Sequence, residues 1–306
     1  MLSRVMLRIG LAAVVALGVA SCVFLLLHLA PGDPVEALLG ERAAPAEREA
    51  LRAALGLDAP LATQWLGFLQ HLAQGDLGTS LVSRASVASL ILGRLPHTAW
   101  LALAAALVAL AIALPLGVWS ALREGSAWDT ATLFAAVLGQ SMPGFVLGPL
   151  LMLVFAVWLG WLPVAGGEFP QGLVLPALTL GLALAALLTR MVRAAVRETL
   201  SEEFVRAARA RGLRERRVLW RHALGNAALP ILTTVGLQFG SLLGGAVITE
   251  MVFGWPGLGQ LLIEAIQQRD YPVAQGCVLV VALAHLGMNL VTDLLYGVFD
   301  PRVEAL

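Results

Sequence analysis

Six stretches of this chain run without Asp, Glu or Arg over a length sufficient to cross a bilayer. They lie between Arg8 and Asp33, Arg94 and Arg123, Asp129 and Glu168, Glu168 and Arg190, Arg221 and Glu250, and Asp270 and Asp293. A backbone in lipid must satisfy its own hydrogen bonds, so each stretch predicts a helix. The third is long enough to hold a loop as well, and Gly160, Pro163, Gly166 and Gly167 put that loop at its far end. The pattern predicts an all-α integral membrane protein with six transmembrane helices and both termini on one side.

The polar intervals between spans are unequal. The longest runs from Asp33 to about Arg94. Within it, Pro45 opens a predicted helix over 46–55 with Gly56 as its stop. A second predicted helix follows Pro60 over 61–73 and ends by Gly75, with Trp65, Leu66, Phe68, Leu69 and Leu72 as its apolar face. Two readings stand for this pair: it lies on the membrane or caps the bundle, or it offers a docking surface to an external partner. At the start, Arg4 and Arg8 precede an apolar run that resembles a signal peptide, and residues 19–22 resemble a lipoprotein cleavage box. The run continues past Cys22 through residues 23–27, so an uncleaved first span is expected.

Composition agrees with the membrane reading. The 306 residues are 59% hydrophobic and only 13% charged, with a mean hydropathy of +0.84; a soluble domain carries about 25% charged residues. A formal net charge of zero argues against a nucleic-acid partner. Lys is absent, so the positive charge is all Arg and a P-loop is excluded, since its Lys contacts the phosphates. Cys22 and Cys277 lie in apolar runs without metal-site spacing, which predicts small apolar fillers rather than a disulfide.

The Arg residues choose the side. Ten of the 20 fall between Arg190 and Arg221. With Arg4, Arg8, Arg123 and Arg302, that side holds fourteen. Six lie opposite: Arg42, Arg48, Arg52, Arg84, Arg94 and Arg269. The positive-inside rule puts both termini and the cluster in the cytoplasm.

Within the cluster, Thr199 and Glu202 have capping-box spacing. Glu202 and Glu203 suit the first turn of a helix, Arg209 and Arg211 its last turn, and Gly212 its C′ position. The pattern predicts a helix of about ten residues, with Phe204, Ala207, Ala208 and Arg211 sharing one face. One aromatic among small residues makes a ridge able to lie in another protein's groove. A second basic helix is expected over 214–222.

Polar groups inside spans are costly and invite a functional reading. His285, Asn289 and Asp293 stand at i, i+4 and i+8 in span six, with Tyr296 near the edge of the stripe. They suit inter-helix hydrogen bonding or the lining of a path. Gln140, Ser141 and Pro143 interrupt span three, where a proline kink is either a gate hinge or packing geometry. In span five, Gln238, Ser241, Thr249 and Glu250 run toward the outside, while Gly236, Gly240, Gly244 and Gly245 permit close helix approach. This face is expected to help form a subunit interface and path. No Gly-x-Ser-x-Gly elbow or His-Glu-x-x-His pair appears, and the five His are scattered, so no catalytic or metal-ligating residue is assigned.

The residues 206–212 followed by His222-Ala-Leu-Gly-Asn226 resemble the "EAA" cytoplasmic loop of ABC importer permeases. The consensus Glu is Arg206 here, and the consensus Pro is Gly225. Leu29-Ala-Pro-Gly-Asp-Pro34, Gly75-Asp-Leu-Gly-Thr-Ser80, Trp255-Pro-Gly-Leu-Gly259 and Phe299-Asp-Pro-Arg302 resemble, in order and spacing, the dipeptide/oligopeptide/nickel permeases. The chain resembles the first of the two permeases, the one with the extended first external segment. The resemblance implies a type I ABC importer permease fold: 1–94 as first helix plus external segment, and 95–306 as a five-helix core with a coupling loop at about 199–226. It implies a multi-pass protein of the bacterial inner membrane that forms half of a path for short peptides, with nickel chelates or other small solutes as alternatives. Its partners would be a second permease, two ATP-binding subunits, an external substrate-binding protein and membrane lipid. ATP and Mg would be used by the partners and no cofactor bound here, so the chain would not be an enzyme. Glu203, Phe204, Arg206, Ala207, Ala208, Arg211 and Gly212 would couple to the ATPase. A self-contained channel or secondary transporter is the alternative of another class; it needs charged coupling groups in the membrane, and Asp293 is the one clear candidate.

Overall fold

A computed structural model describes residues 2–29, 44–54, 58–166 and 169–299. Among them every regular element is helical, apart from an isolated bridge between Thr79 and Ser86. The expected stop at Gly56, residues 30–34, Gly167 and the closing 300–302 lie outside the described residues, as do the side chains of Asp293 and Tyr296. Five single helices are long and apolar enough to cross a membrane, or up to seven if bent pairs each count as a span.

The chain separates into two compact units, 2–98 with 256–286 and 99–255 with 287 onward. In the first, α1 (Leu2–Leu29) is the opening span and α2 (Pro45–Ala54) begins at its proline. The next helix, α3 (Leu61–Ala73), has the predicted bounds and packs on α1. Trp65 donates its indole N–H to Ser21 Oγ at 3.0 Å, and Phe68 meets Phe24 at 5.7 Å between ring centroids. The apolar face of α3 therefore turns to a neighbouring helix, with Leu66 left exposed.

Helix α4 (Val87–Leu122) begins well before Arg94 and runs through Pro96. Its first turns pack Val87 and Ile91 against Leu258, Leu261, Val273 and Cys277, so Cys277 is the buried filler that was expected. Cys22 is exposed.

In the second unit, α5 (Ala127–Ser141) and α6 (Gly144–Leu151, continued as a π-helical stretch Met152–Trp158) meet at a bend of 103°. The sequence predicted a kink; the structure has a full break. Met142 is extended, and Pro143 starts a new helix as its N-cap. Helix α7 (Gln171–Ser201) packs on α4 through Ala102, Ala105, Ala109 and Leu188. Gly181 and Gly117 let the two backbones touch: a Cβ at Gly181 would lie 2.7 Å from Val108, and one at Gly117 2.7 Å from Val192. Then come α8 (Glu203–Ala210), the single turn α9 (Glu215–Arg217), a π-helical stretch (Val218–Ala223) and α10 (Leu224–Phe253). Two further helices, α11 (Leu258–Gln267) and α12 (Tyr271–Phe299), complete the described chain. No separate helix was expected at α11.

Candidate functional site

The basic stretch folds into a short helix braced against the ends of two long ones. One non-helical residue, Glu202 (ψ 151°), separates α7 from α8. The expected capping box does not form. Thr199 is still inside α7, where its hydroxyl donates to the Ala195 carbonyl at 2.8 Å, and Glu202 is an N-cap without a side-chain bond. α7 continues because Val192, Ala195 and Val196 bury an apolar face that outweighs a local cap.

The other end matches the pattern. Gly212 takes φ +75°. Its N–H donates to the Arg209 carbonyl at 2.9 Å, and the Leu213 N–H donates to the Ala208 carbonyl at 3.3 Å. This is the Schellman arrangement, which a left-handed glycine permits without steric cost.

Beneath α8, Val205 (0% exposed) and Ala208 (6%) pack on Val218, Leu200 and Leu213. Arg209 grips Glu215 with two hydrogen bonds at 2.9 and 3.3 Å, fastening α8 to α9. Ala208 therefore sits on the inner face, not on the ridge where spacing put it. Glu203, Phe204 (40% exposed), Arg206, Ala207, Arg211 and Gly212 remain on the outside. The result is a rigid knob: one face glued to its own helices, the other presenting an aromatic, a small residue and three cations counting Arg209.

The candidate path residues are dispersed. Gln140, Ser141 and Pro143 are exposed at the α5–α6 break, and Ser141 donates to the Val137 carbonyl at 2.9 Å. A cavity of about 450 Å³ opens beside the break, between Gly139, Met142 and Leu147 and the α7 residues Ala186 and Thr189. Gln238 is half-buried on α10. Glu250 is fully buried at 0% exposure near the end of α10. Of the α10 glycines, a Cβ at Gly236 would collide with Thr292, so close approach holds there; Gly244 faces open space. His285 and Asn289 are half-buried on α12, and Asn289 Oδ1 is shut from solvent with no hydrogen-bond partner among the described residues.

One group was treated in the sequence only as the boundary of a span. Asp129, 4% exposed on the first turn of α5, accepts two hydrogen bonds from Arg193 on α7 at 2.6 and 2.7 Å. It also accepts from Ser120 Oγ near the end of α4 and from the Gly125 N–H at 3.0 Å. Its own N–H donates to Ser126 Oγ at 3.2 Å, so Ser126-x-x-Asp129 is a helix-start signal that could have placed it. Nothing local points to Arg193.

Comparison with known proteins places this geometry. The model for "Binding-protein-dependent transport system inner membrane component" matches residues 113–305, and that for the N-terminal membrane component matches residues 1–102. The glutathione transport system permease protein GsiC of Pectobacterium atrosepticum is 44% identical over 282 residues, 92% of each chain. That of Salmonella choleraesuis is 43% identical over 286 residues, and that of Escherichia coli K12 42% over the same length, each covering 94% of both chains. Among solved structures, an inward-facing methionine ABC transporter, MetNI, aligns with a TM-score of 0.57 at 22% identity, covering 70% of this chain and 97% of that one. An amino acid ABC transporter aligns at 0.51 and 18%. These two share the type I importer permease fold. The chain belongs to the binding-protein-dependent transport system inner membrane component family and is a multi-pass permease subunit of an ABC importer.

Proposed function

We propose that this chain forms half of a path for short peptides across a bacterial inner membrane, with both termini in the cytoplasm and α8 docked on a separate ATP-binding subunit. A second permease would complete the path, two ATPases would sit beneath, and an external binding protein would deliver the solute. Peptide-sized cargo is favoured by the relatives named for glutathione transport. A nickel chelate or other small solute is the second reading of the cargo, and the sparse charge among the described span residues suits either. No catalytic role is assigned to the chain; hydrolysis of ATP with Mg belongs to the partners.

The carrying observation is the two-faced build of α8. Its inner face is locked to α7 and the π-helical stretch, so a displacement imposed on the outer face passes into two long helices rather than being absorbed locally. Closure of the ATPases would tilt those helices and exchange which gate is open; α8 supplies the differential contact that such a two-state change needs. The coupling residues in this reading are Glu203, Phe204, Arg206, Ala207, Arg211 and Gly212, with Ala208 as the inward anchor. The path residues are Gln140, Ser141 and Pro143 at the break, and Gln238, Glu250, His285, Asn289 and Asp293.

The test is assembly and uptake together. Ala207→Asp and Gly212→Val are expected to leave membrane insertion intact while abolishing uptake and co-purification of the ATPase. Uptake at the unmodified rate in both variants rejects the docking. Ala53→Cys, in a chain with Cys22 and Cys277 replaced by Ala, is expected to react with an impermeant thiol reagent from outside. Labelling only after the cytoplasmic face is opened reverses the topology.

A further inference from the structure

We infer that Asp129 and Arg193 are positioning residues that make the turn at 123–126 and the α7 end move as one piece, so that a displacement of α8 reaches α5. The inference rests on the docking role of α8 proposed above.

One carboxylate here joins three elements. Asp129 receives the Arg193 fork from α7, the Ser120 hydroxyl from α4 and the Gly125 N–H from the turn. A second pair lies one helical turn further along α7, where Arg197 meets Glu124 at 2.7 Å. Two attachments spaced by a turn fix orientation as well as position. Behind them, the Gly117–Val192 contact brings the backbones of α4 and α7 together.

Stability alone is a weak reason for this arrangement. A buried ion pair loses much of its Coulomb energy to desolvation, and an apolar pair of similar volume would hold the helices about as well. What the bidentate fork adds is a directional joint that resists sliding and rotation. Its place in the chain gives that direction a use. Arg193 stands eight residues before the end of α7, roughly 12 Å along its axis. Only Glu202 then separates α7 from α8. Asp129 stands at the start of α5, and the far end of α5 is the 103° break with Gln140 and Ser141. A push on α8 thus has a continuous route through α7 and the joint into α5, ending where the candidate gate lies. Without the joint, α7 is held to α4 and its turn by apolar packing and the half-exposed Arg197–Glu124 pair, which resist sliding and rotation less than a buried fork.

The experiment uses the assembled importer, with its ATPases and binding protein, in proteoliposomes and reads uptake per ATP hydrolysed. Asp129→Asn and Arg193→Lys are expected to assemble and to hydrolyse ATP, while uptake per ATP falls about tenfold, the scale of a modest coupling energy. Glu124→Cys with Arg197→Cys is then added to the Asp129→Asn chain, with Cys22 and Cys277 replaced by Ala. Bridging the two thiols with a bifunctional reagent after assembly is expected to restore much of the lost ratio. A group needed only for folding would show no such recovery. Parallel loss of uptake and hydrolysis, or a ratio still low after bridging, overturns the proposal. If Asp129→Asn fails to assemble, Arg193→Lys decides, because it keeps the charge without the fork; a normal ratio there also overturns it. Failure of the docking reading looks different, since Ala207→Asp and Gly212→Val would then keep both the ATPase and the unmodified rate of uptake.

Discussion

Two buried aspartates hold two loops by different chemistry. Asp129 is paired with a cation and gathers helices remote in sequence. Asp270, equally buried at 4% exposure, is held in its own unit by neutral donors. It accepts from the Ser80 hydroxyl and from the Leu81 and Val82 N–H groups at 3.1 and 3.4 Å, while Ser80 Oγ in turn accepts from the Ser83 N–H at 2.9 Å. Amides and a hydroxyl can satisfy a carboxylate locally and fix the path of a loop. They do not join separate long helices as the two-pronged Arg193 guanidinium does, because each belongs to the one loop being held. The charge-paired site is thus suited to joining moving parts and the neutral one to keeping a loop in shape.

The sharpest break in that contrast is Asp129→Ala. It leaves Arg193 mostly buried without its anion, which costs on the order of 3 kcal/mol or more. A marked drop in the thermal unfolding temperature of the detergent-solubilised chain is expected. A shift as small as that of a surface mutation would mean that the guanidinium finds water or lipid phosphate instead.

Asp270→Ala should cost less, about 2 kcal/mol, because it strands neutral donors rather than a charge. Its effect should be confined to the loop, seen as faster proteolysis near residues 75–86 with the remaining helices protected. Equal destabilisation by the two alanine variants would erase the distinction between the sites.

Next in size comes Arg269, which precedes Asp270 and occupies the C′ position of α11 with φ +55°. The Asp270 N–H donates to the Ala265 carbonyl at 2.8 Å, the same closure that Gly212 gives α8. An L-residue pays for the left-handed region, so Arg269→Gly should stabilise the first unit by about 0.5 to 1 kcal/mol. A lower unfolding temperature in this variant would show that the Arg269 side chain holds something worth more than the strain.

These sites mark where sequence reasoning reaches and where it stops. The membrane helices were legible because charge-free windows of bilayer length leave little choice in lipid, though the structure gives five candidate spans, or up to seven with the bent pairs, where six were expected. The bounds of α3 followed from Pro60 and Gly75, and the end of α8 from Gly212, since those residues act through local backbone geometry. The start of α8 was misplaced by three or four residues because burial of Val196 and its neighbours extends α7 through a plausible cap. The inward turn of Ala208 depends on Val218, ten residues away, and helical spacing says only which residues share a face. Asp129 and Arg193 are 64 residues apart, and no periodicity connects them. The depth of the break at Met142 was underestimated, because a proline in sequence announces a lost hydrogen bond but not how far the chain turns.

The smallest expected effect tests whether the second attachment beside Asp129 acts through its energy or its geometry. Arg197 and Glu124 are about half exposed, at 57% and 45% of their side-chain areas, so water and salt screen the pair. Glu124→Gln should change stability by no more than about 0.5 kcal/mol, and that difference should vanish at high salt. Asp129→Ala, shielded from solvent, should keep most of its effect under the same salt. If the two titrate alike with ionic strength, the Asp129 site is as wet as its neighbour. The directional joint would then reduce to surface electrostatics. If Glu124→Gln alone lowers uptake per ATP with no loss of stability, the outer pair steers the turn by orientation rather than by binding energy.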